Sequence, residues 1–198
     1  MQLRTLAAAA ALALPLAACG DSAPRDNVVV AASAAPAGLD FTTTGGAAAP
    51  QALVGNVYET LVRIDASGVP VPHLAERVER DDGTFTFHLR DGVTFADGTP
   101  FTANDAAFSI DYVKNEWTNG LKAQMDPVTD VEVVDERTLR VTVEGGKAAE
   151  DAWLWSMGTL TGAMMTPAGV DKLATAPLGT GPYTCLLYTS DAADEEDS

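Results

Sequence analysis

Residues 84–109 read TFTFHLRDGVTFADGTPFTANDAAFS, and the spacing within them sets the fold. Phe85, Phe87 and Leu89 alternate with Thr86, His88 and Arg90, the two-residue period of a strand with one apolar face. Asp91-Gly92 supplies turn residues, Val93 and Phe95 resume the alternation, and Asp97-Gly98 closes that second short strand. Pro100 has no N–H to give a ladder, so no central strand runs on through it. Thr102 then stands where a helix cap belongs, with Asp105 in the box-like position that suits the helix dipole. Ala103, Ala106, Ala107, Ile110, Val113 and Trp117 follow at helical spacing. The expected unit is a hairpin feeding an amphipathic helix.

Working outward, Pro50, Leu53, Val54, Val57, Tyr58 and Leu61 space as one face of a helix of about three turns. Val62 and Ile64 alternate with Arg63 and Asp65 before an Ala66-Ser67-Gly68 turn, and Pro70 and Pro72 hold the next segment at a sheet edge. Residues 78–82 should pair with 84–90 through the Asp82-Gly83 turn. Beyond the helix, Val131 and Val133 form a strand, Asp135-Glu136 turns, and Leu139, Val141 and Val143 alternate back. Gly145-Gly146 breaks the pattern, residues 153–165 are apolar with Met157-Gly158 interrupting, and 167–174 read as a short helix. Val28 to Ala32 reads as a short buried strand, and no internal repeat is present. The core expected from these periods comprises Phe85, Phe87, Leu89, Val93, Ile110, Val141 and Val143.

The chain has 198 residues, 46% of them hydrophobic, enough for one domain with a real core. Its net charge is −16, and without the first 18 residues and the acidic end it retains 23 acids against 11 bases. Such a surface repels phosphate backbones, which argues against nucleic acid as a partner. The cysteines, Cys19 and Cys185, make no disulfide framework. Arg4 and an apolar run from Leu6 lead into Leu16-Ala17-Ala18-Cys19, too short a run to span a bilayer as a mature helix. Residues 1–18 therefore read as a signal peptide. Small residues before Cys19 resemble the lipobox of bacterial lipoproteins, which implies cleavage before Cys19 and lipidation of its thiol. The alternative is a plain signal peptidase site with an incidental cysteine. Residues 19–27 are small and polar, as a tether should be.

Catalytic constellations are hard to build. His73 and His88 stand in no metal-ligand spacing and have no cysteine beside them, so neither a metal nor another cofactor is expected. His88 alternates with Leu89 and reads as a solvent-side or cross-strand residue. No nucleophile elbow occurs, Ser109 lies mid-helix beside no base, and Gly45-Gly46 lacks the ending of a phosphate loop. Acid pairs such as Asp81-Asp82 and Asp135-Glu136 sit at turns, which already explains them. An enzyme finds no support.

The stretch FHLRDGVTFADGTPFTANDAAFS resembles the signature of the extracytoplasmic solute-binding proteins of family 5, the peptide/nickel class that serves ABC importers. Three further pieces stand in that family's order: Asn56-Val57-Tyr58-Glu59-Thr60-Leu61, the hairpin of residues 133–143, and Pro177-Leu178-Gly179-Thr180-Gly181-Pro182-Tyr183. Leu74-Ala75-Glu76 resembles the family's short helix before the signature hairpin. The resemblance covers residues 28–183 and implies a mixed α/β fold, type II periplasmic binding protein-like, of which this chain would hold part of lobe I with its inserted β-rich subdomain.

That likeness also implies a function. The whole protein would be an extracytoplasmic, lipid-anchored binding protein that captures a peptide or similar solute and delivers it to the importer's membrane permease subunits. A non-transport sensor or chaperone on the same scaffold is the alternative. Solute would lie in a cleft closed by two lobes, and by analogy of position the first lobe's contributors are Thr43, Thr44 and Gly45 in the 42–46 loop, Trp117, Trp155 and Met157. The residue with which peptide-binding members hold the ligand's amino group lies in the second lobe, which this sequence does not contain. After Tyr183 the family pattern calls for a strand, whereas residues 184–198 run through Cys185 into an acidic end. That tail reads as truncated, frame-shifted or joined-on sequence; a genuine solvated tail is the alternative.

Overall fold

The computed structural model describes residues 36–44 and 46–184. The signal peptide, Cys19, the tether, the strand expected at 28–32, Gly45 and the tail with Cys185 lie outside the described residues. In chain order, α1 (Ala48–Leu53) leads to a small antiparallel pair, β1 (Val62–Ile64) with β2 (Pro70–Pro72). Asp65 Oδ1 makes the turn between them by accepting the amides of Ser67 and Val69 at 2.8 and 3.0 Å. Next come the hairpin β3 (Ala75–Asp81) and β4 (Thr84–Leu89), the long helix α2 (Ala103–Glu116), and a 3-10 helix at Gly120–Met125. A second hairpin, β5 (Val128–Asp135) and β6 (Thr138–Val143), is followed by α3 (Gly146–Ser156), a 3-10 turn at Leu160–Gly162 and α4 (Pro167–Val170).

The two hairpins make one antiparallel sheet in the order β3-β4-β6-β5, with β4 and β6 pairing at its centre. The β3–β4 turn places both Asp82 (φ 42°) and Gly83 (φ 79°) in the left-handed region, the geometry that matches strand twist. A Cβ on Gly83 would stand 2.8 Å from the Val143 carbonyl oxygen, so this turn also admits β6 only because the residue is glycine. Phe85, Phe87, Leu89, Leu139, Val141 and Val143 point to the face that α2 and α3 cover, and all are buried. Trp153 of α3 lies 5.0 Å from the Phe85 ring and 6.1 Å from that of Phe87. Of the expected core, only Val93 is half-buried, at the margin of the cluster. The capping box at Thr102 forms as expected, with the Thr102 amide donating to Asp105 Oδ2 at 2.9 Å.

Three local expectations are corrected. The helix over 50–61 stops at Leu53, because Gly55 turns the chain at φ 78° and the amides of Val57 and Tyr58 both return to the Leu53 carbonyl at 2.9 Å. Its apolar residues Leu53, Val57, Tyr58 and Leu61 are nevertheless buried. Residues 74–76 are not a helix: the amides of Leu74 and Ala75 go to the carbonyls of Thr60 and Leu61, and Ala75 opens β3 opposite Leu89. Val93 and Phe95 form no strand, only a bridge between Thr94 and Pro100. Asp97 Oδ1 tightens that loop by accepting the Thr99 amide and hydroxyl, and the Ala96 amide is taken by the Gly179 carbonyl at 3.0 Å.

The last bond belongs to a junction that explains why separate sequence motifs occur together. The amides of Gly181 and Tyr183 donate to the carbonyls of Val57 and Asn56 at 2.9 and 3.0 Å, so residues 177–183 are stitched onto residues 56–58. Ser109 on α2 joins a further segment. Its hydroxyl donates to the Asp105 carbonyl at 2.7 Å and accepts the Met165 amide at 2.8 Å, which satisfies a buried N–H that no strand or helix would serve.

Candidate functional site

A groove of about 490 Å³ opens where three segments meet: Gly46 and Pro50 beside the 41–46 loop, Asn119 to Leu121 and Gln124 of the 3-10 helix, and Trp155, Thr159 and Leu160 after α3. A second depression of about 360 Å³ shares Gln124 and Trp155 with the first. The groove wall is mostly apolar, with Asn119, Gln124 and Thr159 as its polar members. This is the composition of a pocket that holds a ligand by burial and orients it with few hydrogen bonds. Gln124 is itself oriented, since its Oε1 accepts the Thr161 hydroxyl.

The loop at the groove's edge is built from both ends. Phe41 is fully buried, edge-on to Tyr58 at 5.1 Å and to Trp117 at 5.5 Å. Asp40 Oδ1 accepts the Thr42 amide at 3.0 Å and its hydroxyl at 2.6 Å, and the Asp40 carbonyl accepts the Thr44 hydroxyl at 2.7 Å. Across the gap, the Thr42 carbonyl accepts the amides of Thr118 and Asn119, at 3.1 and 3.3 Å. Asn119 Nδ2 donates to the Phe41 carbonyl at 2.7 Å while its Oδ1 accepts the Leu121 amide at 2.8 Å.

Among the residues expected at a binding site, Thr43 is exposed on this loop, Thr44 is half-buried within it, and Trp155 is 47% exposed in the groove wall. Two others need correction. Trp117 is 1% exposed and Met157 not at all, so their side chains belong to the core and do not line the groove. Analogy of position with the family placed them near the site, but each turns its large apolar side chain inward, where burial is worth most. Asn119 and Gln124 line the groove without having been expected there. The Asn119-Gly120 pair was the available signal, a turn or cap dipeptide just before a helical segment.

Two histidine pairs lie elsewhere. His73 Nε2 is 3.3 Å from Glu59 Oε1, and this hydrogen bond holds the Glu59 carboxyl below its ordinary value against the opposing effect of burial. His88 stands 3.6 Å from Glu79 across the β3–β4 pair, the cross-strand position expected of it. Among the described residues, no group of three or more His, Cys, Asp or Glu side chains is placed to hold a metal ion. No helix among them is long and apolar enough to cross a membrane.

Residues 69–192 match the family described as bacterial extracellular solute-binding proteins, family 5, middle region. The di/tripeptide-binding protein 4 of Pseudomonas aeruginosa is 31% identical over 212 aligned positions, covering 92% of this chain and 39% of that protein. The glutathione-binding protein GsiB of Escherichia coli is 32% identical over 169 positions, covering 79% of this chain and 31% of GsiB. The ABC transporter-associated periplasmic binding protein DppA of Helicobacter pylori, solved with the peptide STSA, superposes with a TM-score of 0.63 at 26% identity, over 80% of this chain and 36% of DppA. The chain therefore belongs to family 5 of the bacterial extracellular solute-binding proteins, and its fold is part of the type II periplasmic binding protein fold. Each of these relatives is a binding protein, and this chain spans about a third of their length.

Proposed function

We propose that the whole protein is the extracytoplasmic solute-binding lipoprotein of an ABC importer, and that it captures peptides or similar solutes for the permease subunits. The observation that carries this reading is the groove of about 490 Å³, where the loop carrying Thr43 and Thr44 and the exposed indole of Trp155 border one apolar depression. Thr43, Thr44, Gly45 and Trp155 are its first-lobe contacts, with Gln124 as an added polar group. Trp117 and Met157 contribute through the packing of the core and not by direct contact. Closure of a second lobe over this wall would desolvate the solute and supply the remaining contacts. Residues 1–18 serve as the signal peptide, residues 19–27 as the tether, and Cys19 as the lipidated N-terminus that keeps the protein at the membrane.

Trp155→Ala in the protein as its gene encodes it tests the groove. Affinity for an equimolar pool of tri- to pentapeptides, read by calorimetry, should fall about tenfold or more, as expected for loss of a large aromatic contact. Unchanged affinity removes the groove from the site. Cys19→Ala should move the protein from the membrane fraction to the soluble one; retention with palmitate labelling would refute the anchor.

A further inference from the structure

We infer that Asn119 is the residue that positions the solute-facing loop, through the opposite ends of its amide. Asn119 Oδ1 caps the Gly120–Met125 helix by accepting the Leu121 amide at 2.8 Å, and Asn119 Nδ2 donates to the Phe41 carbonyl at 2.7 Å. One side chain thereby fixes the distance between the two segments that flank the groove, the loop on one side and the 3-10 helix on the other. The Asn119 backbone amide adds a third tie, to the Thr42 carbonyl at 3.3 Å. An amide suits this role because it is donor and acceptor at once; a carboxylate keeps the acceptor and loses the donor. The role rests on the reading of this groove as the solute site.

That chemistry separates two functions in one substitution. Asn119→Asp retains an oxygen for the Leu121 amide and places a second oxygen against the Phe41 carbonyl, so the helix stays capped while the loop is released. Asn119→Ala removes both. The experiment uses the protein as its gene encodes it, with hydrogen exchange followed by mass spectrometry and a fluorescent pool of tri- to pentapeptides as the probe. For N119D, amides at 41–44 should exchange about tenfold faster, those at 121–125 should keep wild-type protection, and peptide affinity should fall about tenfold. N119A should lose protection in both segments. Wild-type affinity in N119D, or equal loss of protection in both segments, overturns the inference and leaves the solute-binding reading standing. Absence of saturable binding by the wild-type protein overturns that reading and this inference with it. If N119D does not fold, Asp40→Ala frees the same loop from its inner end without touching the helix cap, and the same pair of readouts decides.

Discussion

Gly181 donates its amide hydrogen to the carbonyl of Val57 at 2.9 Å, and a Cβ on Gly181 would lie 2.3 Å from the Asn56 carbonyl oxygen. Backbone meets backbone here with no room for a side chain. Two motifs more than a hundred residues apart in sequence thus form one joint, and the groove residues Gly46 and Pro50 stand on the segment that leads into it.

The joint predicts a large penalty for a single methyl group. A Cβ on Gly179 would stand 2.0 Å from the Val57 carbonyl oxygen, and the backbone there is not in the left-handed region, so the effect is purely steric. Gly179→Ala should destabilise by roughly 1–3 kcal/mol in urea titration. Gly120→Ala, which meets nothing within 4 Å, should change stability by no more than about 0.5 kcal/mol. Equal effects of the two would mean that the junction opens without cost.

Phe87 is fully buried between the sheet and Trp153. Phe87→Ala should cost roughly 3–5 kcal/mol, read from the denaturant midpoint at unchanged slope. A loss below about 1 kcal/mol would place the ring on the outer face, a one-residue shift in strand register.

Ser109 is a bridge inside the core, tied to both the Asp105 carbonyl and the Met165 amide. Ser109→Ala leaves the Met165 amide buried without an acceptor, and should cost about 1–3 kcal/mol although only one oxygen is lost. Ser109→Thr, which keeps the hydroxyl, should recover much of the hydrogen-bonding loss. Near-neutral behaviour of the alanine variant would show that the 163–166 segment shifts to find another partner.

Acid sensitivity should trace in part to Glu59. Its hydrogen bond with His73 lowers the folded-state carboxyl below the usual 4.5. A depressed carboxyl stabilises the fold above the unfolded value, and that stabilisation is lost as pH falls below 4.5 and through the folded value. Glu59→Gln should therefore narrow the stability difference between pH 6 and pH 3, measured by urea midpoints. An acid limb identical to wild type would assign the sensitivity to other carboxylates.

Local chemistry along the chain was enough to determine the two hairpins, the capped helix α2 and the inward set of Phe85, Phe87, Leu89, Val141 and Val143. Period and turn residues act within a few positions of one another, so these features are legible wherever they occur. The family motifs were legible for the same reason. What the sequence could not determine was which partner each backbone group would find across space. Residues 50–61 have helical apolar spacing, yet Gly55 and returning amides to Leu53 end the helix early. Residues 74–76 become strand because the carbonyls of Thr60 and Leu61 claim their amides. The site divided along the same line: Trp155, Trp117 and Met157 share a composition that favours burial, and only the packing of α3 and the 3-10 helix left one of the three facing outward. The Asn119-Gly120 pair marks a turn or cap locally, but the tie of Asn119 to the Phe41 carbonyl was illegible because that carbonyl lies 78 positions away in sequence, and no local pattern encodes a contact that only the folded chain brings within hydrogen-bond reach.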